Sequence, residues 1–172
     1  MNTEEAAKQL REKLSGAQKI LVGIGSEWRA KSEEEAEEIR EAGEILKNLL
    51  DGRDYYVLTT LTGADLERLP FEKTHRAAPM DVSCTEEEWK AYTLWLSCTL
   101  NRETVLLELG ENYMNPSVIR WPFEKTALIN QKACLFRIHR TFSQIPDELK
   151  GKAVPVAASS VDFLRTGAFN RA

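Results

Sequence analysis

"LLELGENYMNPSVIRWPFEK", residues 106 to 125, decides the fold. A branched apolar run stops at Leu109-Gly110, breaks into Glu111-Asn112-Tyr113 and restarts through Pro116 and Pro122, the pattern of a buried strand ending in a loop. Four other short runs share this character: "KILVGIG" (19–25), "YYVLTT" (55–60), "ACLFRI" (133–138) and "AVPVA" (153–157). Runs that are apolar on both faces and separated mostly by helical patterns predict repeated strand-helix crossovers, because parallel strands are covered on both sides. The expectation is a doubly wound α/β domain: a mostly parallel sheet of five to six strands with helices on both faces. Pro155 has no N–H for a ladder, which places "AVPVA" at a sheet edge.

The helical patterns are readable at their caps. "TEEAAKQLREKLSG" aligns Ala6, Ala7, Leu10 and Leu14, with Thr3 as the expected N-cap and Gly16 as the stop. "SEEEAEEIREAGEILKNLLDG" opens with the capping box Ser32 to Glu35, repeats apolar residues at Ala36, Ile39, Leu46 and Leu49, and closes at Gly52. Its glutamate run reads as a solvated outer face. A second capping box, Thr85 to Glu88, starts a helix whose Trp89, Tyr92, Leu96 and Leu100 are expected to face the core.

Length and composition exclude several classes. A chain of 172 residues with 42% hydrophobic and 29% charged residues suits one core, so residues 1–172 are read as a single domain. A net charge of −4 with scattered Lys and Arg leaves no basic field, and nucleic acid is not an expected partner. Apolar runs stop at about seven residues and the first residues are charged, so neither a membrane span nor a signal peptide is expected and the cytoplasm is the expected location. Cys84, Cys98 and Cys134 are odd in number and widely spaced, which predicts reduced core thiols and no metal site.

In a doubly wound sheet, ligands bind beyond the carboxyl ends of the strands. Gly23 and Gly25 would let backbone approach a phosphate, with Ser26 adding a hydroxyl, or they form a tight turn. Asn112 and Asn115 can hydrogen-bond ribose or amide groups, or serve the turn that Gly110 starts. Thr60 and Asp65 follow the "YYVLTT" run, and Glu108 interrupts an apolar run where a buried donor can pair with it.

"KILVGIGSEW", "YYVLTT", "LLELGENYMNPSVIRWPFEKTA" and "LFRIHR", in that order, resemble the bacterial sirtuins, in particular small sirtuin-like proteins and the macrodomain-linked subclass. Glu108-Leu109-Gly110, Asn115-Pro116, Ile119 and Pro122-Phe123 carry the most specific match, within a similarity spanning roughly residues 17 to 165. The resemblance implies a Rossmann-like fold holding NAD or ADP-ribose. It puts Gly23, Gly25 and Ser26 in the phosphate loop and Thr60 beside the cofactor. Gly110, Glu111 and Asn112 take the ribose-facing turn with Asn115, and Ile138 and His139 lie near the adenosine.

The chain departs from that family at its catalytic parts. The long cofactor-binding loop is cut to a few residues, the Thr-x-Asn-x-Asp segment is replaced by "TTLTGAD", and three cysteines do not complete a four-cysteine zinc module. A deacylase needs a base near the ribose, a role that suits histidine. His75 is the candidate, with Asp65 next, and the other reading of His75 is a surface histidine. The expected function is therefore binding of NAD, ADP-ribose or a related nucleotide without efficient deacylation. The alternatives are an active NAD-dependent deacylase or ADP-ribosyltransferase acting on an acylated protein, and an interaction protein with a vestigial nucleotide crevice.

Overall fold

The computed structural model describes residues 2–169. Six parallel strands form one sheet: β1 (Lys19–Ile24), β2 (Tyr55–Thr59), β3 (Arg76–Ala77), β4 (Thr104–Leu109), β5 (Ala133–His139) and β6 (Ala153–Ala157). Their order across the sheet is β3-β2-β1-β4-β5-β6, the order of Rossmann-like dinucleotide-binding folds. The five apolar runs are β1, β2, β4, β5 and β6, and Pro155 lies on the edge strand as its missing N–H requires. The sixth strand, β3, has only two residues and carries no apolar run for the sequence to reveal.

Helices cover both faces because side chains alternate along each strand. Ile20, Val22 and Ile24 of β1 meet Leu10 and Leu14 of α1 (Thr3–Gly16), Leu46 of α2 (Glu33–Leu50) and Phe163 of α6 (Ser160–Thr166) in one core. Leu21 and Leu106 face the other way, toward Tyr92 of α4 (Glu86–Ser97) and Phe123 of α5 (Arg120–Ile129). A short helix, α3 (Gly63–Glu67), follows β2.

The capping boxes form at their donors: Glu35 N donates to Ser32 Oγ at 3.1 Å and Glu88 N donates to Thr85 Oγ1 at 3.2 Å. The cap of α1 is Asn2 instead of Thr3, its Oδ1 accepting from Glu5 N at 2.8 Å. On α4 only Tyr92 is fully buried, while Trp89 is exposed because this helix covers the thin β3 edge of the sheet; the helix ends at Ser97, which leaves Leu100 exposed in the turn beyond it. All three cysteines are free, and Cys98 is exposed rather than in the core. Among the described residues, no helix is long and apolar enough to cross a membrane.

Candidate functional site

The strand order reverses between β1 and β4, so the crevice of interest lies where Gly25 and Ser26 leave β1 and Gly110 to Asn112 leave β4. The two chains cross in contact. Gly25 N donates to Leu109 O at 2.9 Å, Glu27 N donates to Gly110 O at 3.0 Å, and a Cβ on Gly25 would stand 2.4 Å from the Cα of Glu111. Gly110 has φ +74°, a conformation that favours glycine, and a Cβ there would meet that of Glu27 at 2.5 Å.

Three side chains fill the crossing. Trp28, in a single turn of 3-10 helix (Ser26–Trp28), is fully buried and donates from Nε1 to Ser160 Oγ at 3.1 Å. Ser160 in turn donates from N and Oγ to Glu27 Oε1 at 3.0 and 2.7 Å, while Arg140 N donates to Glu27 Oε2 at 2.8 Å. The protein's own carboxylate thus holds backbone N–H groups that an anion would otherwise use. Helix α2 offers no substitute: it starts only at Glu33, and Glu33, Glu34 and Glu35 neutralise its positive end.

Glu111, the third, is 2% exposed. Its Oε1 accepts from Asn112 N at 3.1 Å and the Thr60 hydroxyl at 3.4 Å, and its Oε2 has no partner. Burial above all pushes its pKa up to about 7, despite the bonds from Asn112 and Thr60. A folded value above the unfolded one makes the ionised form the costly one. The cost is absent below about pH 4.5, grows through the interval up to about 7 and is complete above it. Glu111→Gln is therefore expected to leave stability at pH 4 unchanged and to raise it at pH 8 by up to about 3 kcal/mol, read from urea midpoints. Equal stabilisation at both pH values would refute the assignment.

Beside this filled crossing lies an open cavity of about 440 Å³, whose lining carries the cations Arg29, Lys31 and Arg140, the carboxylates Glu27 and Glu35, and the polar groups of Ser26, Asn112 and His139. Asn112 Nδ2 donates to Ser26 Oγ at 2.8 Å, joining the β1 and β4 exits at its edge. His139, at the end of β5, accepts at Nδ1 from Thr141 N and Phe142 N, both at 2.9 Å. Two backbone donors at Nδ1 fix the neutral tautomer with the proton on Nε2, and burial lowers the histidine's pKa in agreement. The 3.6 Å approach of Glu27 to Nδ1 is thus not an ion pair. Among the described residues, Arg29, Lys31 and Arg140 have side chains without an acidic partner.

The structure gathers Gly25, Ser26, Thr60, Gly110, Glu111, Asn112 and His139 at the strand ends, and it separates the others. Gly23 lies inside β1, where a Cβ would meet Ile119 Cγ2 at 2.7 Å; close packing of α5 sets that glycine. Ile138 is fully buried in the core and offers no surface to an adenosine. Asn115 contributes its carbonyl to a turn, accepting from Val118 N at 3.2 Å. Asp65 accepts from Arg68 at 2.7 Å and from Ala30 N at 3.2 Å.

His75 corrects the catalytic expectation most sharply. Its ring stacks on Tyr55 with centroids 4.5 Å apart, and Nδ1 lies 3.2 Å from Tyr55 O. Tyr55 is the first residue of β2, so His75 sits at the amino end of the sheet, about 13 Å of strand from Thr59. A shortened connection brings the chain back to that end and not to the crevice.

Arg29, Lys31 and Arg140 were missed in the sequence because nothing in their spacing brings the β1 and β5 exits together. No group of three or more His, Cys, Asp or Glu able to hold a metal occurs among the described residues. No family model and no curated protein matches this chain.

Proposed function

We propose that the chain is a sirtuin-like, Rossmann-like domain that binds NAD, ADP-ribose or a related nucleotide at the strand ends without efficient deacylation. The observation that carries this reading is the cavity at the exits of β1, β4 and β5, with three unpaired cations, Arg29, Lys31 and Arg140, around it. Cations on a concave surface attract a phosphorylated ligand, and the Ser26 hydroxyl, Asn112 amide and His139 Nε2–H supply directional contacts. Its volume of about 440 Å³ falls within the range of small-molecule sites. Deacylation is set aside because His75 is at the opposite end of the sheet and Asp65 is engaged by Arg68.

Separate calorimetric titrations with ADP-ribose, NAD and nicotinamide test the reading. ADP-ribose and NAD are expected to bind and nicotinamide alone not to. Arg29→Glu combined with Arg140→Glu is expected to weaken ADP-ribose at least about tenfold, two charge-assisted contacts being reversed in sign. Nicotinamide release from NAD with acylated peptides is expected to stay at background, with His75→Ala making no difference. Peptide-dependent release abolished by His75→Ala would restore the deacylase reading.

A second reading is favoured by the filled crossing. Glu27, Trp28 and Glu111 occupy the switch point themselves, as in an interaction protein whose nucleotide crevice is vestigial. Failure of every nucleotide to bind the folded chain selects it.

A further inference from the structure

Phe142 lines the cavity and keeps 38% of its surface exposed, yet its backbone is fixed on both sides. Phe142 N donates to His139 Nδ1 at 2.9 Å, and Phe142 O accepts from Arg120 Nη1 at 2.9 Å. Its ring touches two others. The His139 ring lies 4.9 Å away between centroids, tilted by 43°, and the Tyr113 ring lies 5.2 Å away, edge to face at 74°.

Tyr113 is held as firmly. Its hydroxyl accepts from Arg120 Nη2 at 2.9 Å, and the guanidinium carbon of Arg120 stands 4.0 Å from the centre of its ring. Arg120 is itself 1% exposed and lies 3.5 Å from Glu108, so one buried guanidinium positions both aromatic residues. Shielding that charge gives Tyr113 a task in the fold. It gives none to the exposed surface of Phe142 in the cavity. A ring already ordered by its neighbours can take a flat partner with little further loss of entropy.

The charges of the cavity select what that flat group is attached to. Three cations, Arg29, Lys31 and Arg140, stand against two carboxylates, and both carboxylates accept from the protein's own backbone. Glu27 Oε2 accepts from Arg140 N at 2.8 Å, and Glu35 Oε2 accepts from Lys31 N at 2.7 Å. The balance favours an anion, and an anion joined to a flat aromatic ring is a base-bearing phosphate.

We propose that Phe142, backed by Tyr113 and Arg120, is the face on which the ligand's aromatic base stacks, so that the cavity takes nucleoside diphosphates and rejects the same phosphates without a base. This rests on the nucleotide-binding reading and narrows it: the cations meet the phosphates, and Phe142 determines that a base must be present. Tyr113 and Arg120 are positioning residues behind it.

Calorimetry on the intact chain with ADP and with inorganic pyrophosphate tests this, in wild type, Phe142→Leu and Phe142→Tyr. Wild type is expected to bind ADP at least about tenfold more tightly than pyrophosphate. Phe142→Leu, which keeps apolar bulk but loses the ring, is expected to weaken ADP about tenfold and to leave pyrophosphate unchanged. Phe142→Tyr keeps the ring and is expected to keep the affinity for ADP.

Equal affinity of wild type for ADP and pyrophosphate overturns the stacking face and leaves an anion site. ADP binding undiminished in Phe142→Leu overturns it too, with the nucleotide reading intact. A loss in Phe142→Leu that is equal for both ligands assigns the ring a structural role and also overturns it. Binding of neither ligand to the folded wild type overturns both readings together. Should Phe142→Leu not fold, the wild-type ratio of the two affinities decides alone.

Discussion

Glu108→Ala is expected to destabilise the domain by about 3–5 kcal/mol, the cost of stranding a buried charge. Glu108 stands inside the otherwise apolar β4 and is 1% exposed. It accepts from Arg137 Nε at 2.6 Å and from Arg137 Nη2 at 3.1 Å, a two-pronged pair, with Arg120 Nη1 at 3.5 Å. Arg137 and Arg120 are each 1% exposed as well. Although burial opposes its charge, Glu108 and Glu124 together hold the Arg137 guanidinium above its ordinary value. Removing Glu108 leaves both guanidiniums desolvated with fewer acceptors.

The pair as a whole contributes less than its breakage costs, because both ions pay desolvation. Glu108→Leu with Arg137→Met is accordingly expected to recover most of the lost stability. Urea unfolding of the single and double variants checks this. A loss below about 1 kcal/mol for Glu108→Ala would show that the ion pair is not buried as described.

The network also explains which parts of the site are legible in sequence. Branched runs and capping boxes are local signals, and they located five of six strands and the three long helices. The interruption of a strand by Glu108 was visible too, and with it the expectation of a buried donor partner, although the donors Arg137 and Arg120 lie 29 and 12 residues away and carry no local mark. Local signals fail where long-range geometry decides. A glycine in "GIGSEW" reads the same whether it faces a phosphate, an adjacent helix or another strand's backbone. His75 likewise reads as a base that could face a ribose, whereas the fold sets it against Tyr55 at the amino end of β2. Glu111 was placed at the turn, yet its missing partner is a property of the packed crossing alone.

That distinction gives the second large effect. Gly25→Val is expected to prevent folding or to cost more than about 3 kcal/mol, beyond the usual range for an overpacked core. The first branch atom would sit 2.4 Å from Glu111 Cα, and a strand exit pinned by the Gly25 N to Leu109 O bond has nowhere to retreat. Even Gly25→Ala meets that clash, because it arises at Cβ. Gly23→Ala is the informative contrast. Its Cβ would meet Ile119 Cγ2 at 2.7 Å and the Phe123 ring at 3.0 Å, side chains that can turn aside, so about 1–3 kcal/mol is expected. The order Gly25→Ala worse than Gly23→Ala, read from denaturant midpoints, checks the β1–β4 crossing directly. Gly25→Ala as stable as wild type would mean that the exits stand apart and the space over Gly25 is open to ligand. If the order holds, lost nucleotide binding in a Gly25 variant reports lost structure, and Ser26→Ala, which removes only the hydroxyl beside Asn112, becomes the proper probe of that edge of the cavity.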